Sequence, residues 1–104
     1  MKIELQENEK IIRKGAANHF KGIESVGGRL FLTNHRLYFS SHAMNVQTHE
    51  LSVACIDILS VGKRNTLGII PNGMFIELKN GQKEKFVLWG RGKWIREIEH
   101  QIST

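Results

Sequence analysis

One cysteine, one proline and one aspartate stand among 104 residues, and each scarcity removes a class of protein. A lone Cys55 forms no intrachain disulfide and supplies no Cys pair to a zinc site, which suits a reducing compartment. A single proline, Pro71, leaves no proline-rich linker or low-complexity stretch. Asp57 is the one aspartate, and three of the nine glutamates, Glu9, Glu84 and Glu97, stand directly beside Lys or Arg, so no contrasted carboxylate pair for acid–base catalysis stands out. No Gly-x-Ser-x-Gly elbow exists, and Cys55 falls in an apolar segment where a thiolate is disfavoured. No apolar run approaches the roughly 20 residues of a membrane span. The opening Met1-Lys2-Ile3-Glu4-Leu5-Gln6-Glu7 puts polar side chains where a secretory signal needs its apolar core. These absences predict a cytoplasmic protein that is no enzyme and carries neither metal nor other cofactor.

What is present is ordinary in amount and uneven in placement. Hydrophobic residues at 40% and charged residues at 24% suit one folded domain over 1–104. The net charge is +5, with pI near 9.7. Residues 1–61 hold seven Lys or Arg against six acids, whereas residues 62–104 hold eight against four. The later part therefore carries a net +4 and directs attention to an anionic partner.

The clearest local pattern is Gly28 to Ser41. Leu30 and Leu32 alternate with Arg29, Phe31 and Thr33, and Leu37 and Phe39 alternate with Arg36, Tyr38 and Ser40. That is two strands with one apolar face each, joined at Asn34-His35, with Gly27 and Gly28 expected to ease the entry through unusual dihedrals. A first strand from Glu9 to Phe20 is expected to bend or bulge at Gly15, followed by a loop or short connection over 21–27. A fourth strand is expected over 46–53 and a fifth over 54–61. Met74 to Lys79 alternates cleanly, Asn80-Gly81 is a strong turn signal, and Lys83 to Leu88 pairs back. Seven strands result, spread over about 9–88. The period then changes: Trp94, Ile95, Ile98 and Ile102 recur at helical spacing, which predicts a helix over about 91–102 that covers the core, with Trp94 as its packing anchor.

Gly28-Arg29-Leu30-Phe31-Leu32-Thr33-Asn34-His35-Arg36-Leu37-Tyr38-Phe39 resembles the signature hairpin of GRAM domains, in the pleckstrin-homology-like superfamily. Leu5 with Glu9–Gly15 is similar to the family's opening strand. Ile56-Asp57-Ile58 with Val61, then Leu67-Gly68-Ile69-Ile70-Pro71-Asn72-Gly73, then Phe86 and Trp94, follow in family order. The resemblance implies a mostly β fold: a seven-stranded antiparallel bent sheet or barrel capped by a C-terminal helix. It also implies a non-enzymatic binding module, with lipid head groups as the ligand class.

Candidate binding residues come from two stretches. Trp89-Gly90-Arg91-Gly92-Lys93-Trp94 runs from a strand through glycines into a helix, where backbone N–H groups can meet an anion. It matches no named phosphate motif, but Arg91 and Lys93 place cations at a helix start that disfavours them. The loop expected over 62–73 adds Lys63 and Arg64, while Leu67, Ile69 and Ile70 are expected to pack inward. Lys63, Arg64, Arg91 and Lys93 are thus the expected contact for an anionic phospholipid surface or an acidic protein partner, which would place the protein at the membrane periphery. The alternative is a protein-interaction or self-association module that uses a strand edge or the surface beside Trp89 and Trp94. Nucleic acid is not an expected partner, because no aromatic stripe or recognition helix is present. His35, His42 and His49 recur every seven residues, but intervening turns and the strand period argue against a shared metal and leave them as turn and surface residues.

Overall fold

The computed structural model describes residues 3–42, 49–66 and 70–103, with backbone alone at 64–66 and 70–71. Seven strands precede one helix: β1 (Ile11–Lys21), β2 (Glu24–Thr33), β3 (Arg36–Ser41), β4 (Glu50–Ala54), β5 (Ile58–Thr66), β6 (Ile70–Leu78), β7 (Lys83–Leu88) and α1 (Arg91–Ile102). They form one antiparallel sheet in the order β4-β3-β2-β1-β7-β6-β5. The sheet is not closed into a barrel, and β4 and β5 are its edges. α1 packs on β5, β6 and the 3₁₀ turn Cys55–Asp57.

Alternation builds the core. Leu30, Leu32, Leu37 and Phe39 enter from the β2–β3 hairpin, Met74, Ile76 and Leu78 from β6, and Phe86 and Leu88 from β7. On α1, Trp94 and Ile98 are buried while Ile95 and Ile102 pack at the margin, as their spacing predicts. Full burial of a side chain of that size stabilises by roughly 1.5–3 kcal/mol. Arg13 ties β1 to α1 through an ion pair with Glu97, its guanidinium 5.9 Å from the Trp94 ring centre.

Several expectations are corrected. The connection expected over 21–27 is short, a tight turn at Gly22-Ile23, because β2 already begins at Glu24; Gly22 supplies the left-handed φ of 63°. The β1 irregularity falls between Ile11 and Arg13, not at Gly15, which lies against Trp94 instead. Neither Gly27 nor Gly28 has positive φ. Gly28 is needed for space: a Cβ there would stand 2.2 Å from the Ser40 carbonyl oxygen.

The strand expected over 54–61 is divided. Cys55–Asp57 turns the chain out of the first half of the sheet, Cys55 being buried in that turn rather than in a strand, and β5 starts at Ile58. The loop expected over 62–73 is mostly hairpin, because β5 runs to Thr66 and β6 begins at Ile70. Residues 46–48 of the expected fourth strand, and Leu67 and Ile69, lie outside the described residues.

Candidate functional site

The Thr33-Asn34-His35-Arg36 corner of the hairpin is a latch rather than a ligand site. Thr33 Oγ1 accepts the backbone N–H groups of His35 (3.0 Å) and Arg36 (2.9 Å) and donates to Glu9 Oε2 (2.6 Å). Arg36 reaches the same carboxylate through Nε (2.8 Å) and Nη2 (3.2 Å), and the Gln6 N–H donates to it at 2.8 Å. Asn34 accepts the Lys10 N–H and donates to the Asn8 carbonyl. Burial pushes the Glu9 carboxyl up, but the Arg36, Thr33 and Gln6 hydrogen bonds and the Arg36 charge outweigh it and hold the group at about 2. The residues that made the hairpin recognisable thus fasten the N-terminal segment to the sheet.

Three of the four expected contact residues have a backbone or side-chain position at Gly73 or the neighbouring Met74. The register sets Arg64 opposite Gly73 and Lys63 opposite Met74, and Val87 of β7 faces Gly73 from the other side. Arg91 enters from the start of α1, where its Nη1 donates to the Gly73 carbonyl oxygen at 3.1 Å. Arg64 on the β5 backbone and the Arg91 guanidinium therefore meet at one point of the sheet. Lys63 is exposed beside it, and Lys93 is exposed two residues beyond Arg91. Gly90 precedes the helix with φ 70°, and no acid occupies the first turn. The two cations at the helix start remain the arrangement that the macrodipole disfavours.

Of the two tryptophans offered as an alternative interaction surface, Trp89 alone is available. It is 83% exposed on the turn between β7 and α1, whereas Trp94 is 3% exposed and unavailable to any surface. Trp89 also walls a cleft of about 180 Å³ shared with Ala16, Asn18, His42, Asn72 and Val87. Asn72 Oδ1 is buried there without a hydrogen-bond partner among the described residues. The signal was in the sequence, since Trp89 follows Lys83, Lys85 and Val87 on the outward phase of β7, but its exposure is decided by the turn.

The histidines divide. His42 is exposed and His35 half-buried in the hairpin turn, as expected. His49 is no simple surface residue. Its Nε2 lies 2.8 Å from Nδ1 of His19, which is 2% exposed and contacts Glu84 Oε1 at 2.7 Å through Nε2. No group of three or more metal-ligating side chains occurs among the described residues. No described helix is long and apolar enough to cross a membrane.

Solved structures share this fold. The C-terminal domain of an unknown protein from Leishmania infantum superposes with a TM-score of 0.80 at 16% identity, over 94% of this chain and 88% of that one. The Vps36 N-terminal PH domain gives 0.76 at 17%, over 96% and 83%. The Slm1 PH domain in complex with phosphoserine gives 0.68 at 17%, over 90% and 97%. At such identities the likeness carries the fold alone. No curated protein sequence matches the chain. The sequence profile of the GRAM domain matches residues 1–94, which includes the latch, all seven strands and the start of the helix. The chain belongs to the GRAM domain family, within the pleckstrin-homology-like fold.

Proposed function

We propose that this domain is a non-enzymatic binding module that meets an anionic phospholipid surface at the junction of β5, β6 and α1. The observation that carries the reading is Trp89, exposed two residues before Arg91, whose guanidinium reaches the Gly73 carbonyl opposite the Arg64 backbone position. Indole is favoured at a membrane interface, with an apolar body and one N–H donor. Cations placed next to it add attraction of roughly 1 kcal/mol each near anionic lipid. Lys63, Arg64, Arg91 and Lys93 together would give a contact that weakens with salt. A phosphate group is the shared chemistry with the phosphoserine complex of the Slm1 PH domain. On this reading the protein is a peripheral, cytoplasmic membrane partner.

A second reading, a protein-interaction module, draws on a different place. Ile56 and Leu59 are 76% and 56% exposed at the corner between β4 and β5, next to an open cleft lined by Ser52, Asp57, Leu78 and Lys79.

Sedimentation with phosphatidylglycerol or phosphatidylcholine vesicles, at low and near-physiological salt, separates the two. Selective pelleting with phosphatidylglycerol is expected, reduced by Trp89→Ala and abolished by combined Gln substitution at Lys63, Arg64, Arg91 and Lys93. Absence of pelleting at either salt overturns the membrane reading and leaves the interaction surface at Ile56 and Leu59.

A further inference from the structure

At one end of the sheet the interior is closed by a polar layer rather than an apolar one. His19 comes from β1, Glu84 from β7, and His49 from the residue before edge strand β4. Phe39 and Phe86 surround His19, with ring centres 5.5 and 4.8 Å away. The two imidazoles lie with their planes 8° apart and their centres 5.0 Å apart. Glu84 is fixed on both oxygens, accepting from His19 at Oε1 and from Gln82 Nε2 at Oε2. Strand β4 has β3 as its sheet neighbour, so the His49 contact reaches across the interior to β1 and β7.

The proton count of this chain is constrained. His19 Nε2–H donates to Glu84, and a single proton must lie between His19 Nδ1 and His49 Nε2. One imidazolium fits: the cation sits on either ring, faces the Glu84 carboxylate, and preserves both hydrogen bonds. A second does not fit, because two N–H groups would then point at each other with like charges in a buried layer.

We propose that His19, His49 and Glu84 form a proton-operated clasp on β4, in which uptake of a second proton by the histidine pair separates His49 from His19 and loosens the edge strand. The groups that set its threshold come from each neighbouring element. Burial, then the His19 and Lys21 charges of β1, lower the affinity of His49 for a proton, while Glu84 of β7 raises it. From β3 the Ser41 hydroxyl accepts the His49 N–H at 2.8 Å and is neutral. Glu50, the first residue of β4, is hydrogen-bonded to Tyr38 instead. The proposal does not rest on the lipid reading, and its readouts, ring titration and β4 amide exchange, are taken without lipid.

The experiment follows imidazole ¹⁵N shifts from pH 7 to 4.5 together with amide exchange in β4, in the wild type, His49→Gln and Glu84→Gln. The wild-type histidine pair is expected to titrate in two coupled steps, the second below the ordinary histidine value. Protection of the amides over 51–54 should fall about tenfold per pH unit below that step, while β1 and β2 stay protected. His49→Gln keeps an N–H donor toward His19 Nδ1 but cannot take the second proton, so its β4 protection should stay flat. Glu84→Gln should shift the first step to lower pH. Independent titration of both rings at ordinary values overturns the proposal. So does loss of β4 protection in His49→Gln equal to that of the wild type.

Discussion

Replacing Glu9 with Gln tests the latch that holds the N-terminal segment to the β2–β3 turn. The carboxylate is buried, paired with Arg36 and held at about 2 against an ordinary 4.5. That displacement corresponds to about 3 kcal/mol of folding free energy. The sign follows from linkage: a depressed carboxyl stabilises the fold fully above pH 4.5 and loses that contribution as the pH falls through about 2. The amide has one acceptor oxygen where the carboxylate uses two, Oε2 for Thr33 and Oε1 for the Gln6 N–H, so the variant removes the charge opposite Arg36 together with one of those hydrogen bonds. For a domain of this size each kcal/mol lowers the melting temperature by about 4–8 °C, so a fall of roughly 12–24 °C is expected at pH 7. Thermal and urea unfolding of both proteins from pH 7 to pH 2 should show the difference shrinking below pH 4.5. A difference that is constant across that range, or below about 1 kcal/mol at pH 7, would refute the reasoning. Glu7→Gln, at an exposed position, is the control and should change stability by less than about 0.5 kcal/mol.

Two further substitutions probe packing. Gly28→Ala would drive a methyl group into the backbone of Ser40 and Ser41, which has no room to retreat, and should cost about 1–3 kcal/mol or more by denaturant unfolding; a neutral result would show that the β2–β3 register relaxes there. Trp94→Ala should cost about 3–5 kcal/mol, and Trp89→Ala less than about 0.5 kcal/mol while lowering vesicle binding. Equal destabilisation by the two would contradict the division between a buried anchor and an exposed indole.

The short-range pattern of this chain already determined its elements. Alternation over Leu30–Phe39, the Asn80-Gly81 turn and the four-residue recurrence from Trp94 to Ile102 follow from strand and helix periods, which need no distant contact to be read. The seven strands and the terminal helix follow from such local regularities, whereas the family rests on the resemblance of the hairpin motif and on the profile match. Which side chains of those elements do more than pack depended on partners far away in sequence. Thr33 and Arg36 look like turn residues until Glu9 arrives from 24 and 27 positions upstream, and His49 looks like a loop histidine until His19 meets it from 30 away. Gly28 likewise reads as conformational freedom, whereas Ser40 on the neighbouring strand makes it a requirement for space. The basic residues were visible from charge alone, but the contact of Arg91 with the Gly73 carbonyl, the register of Arg64 opposite Gly73 and the exposure of Trp89 were decided by strand pairing and by the turn into α1. Local sequence carries the periods of the backbone; hydrogen bonds, burial and proton affinity belong to pairs that only the folded sheet brings together.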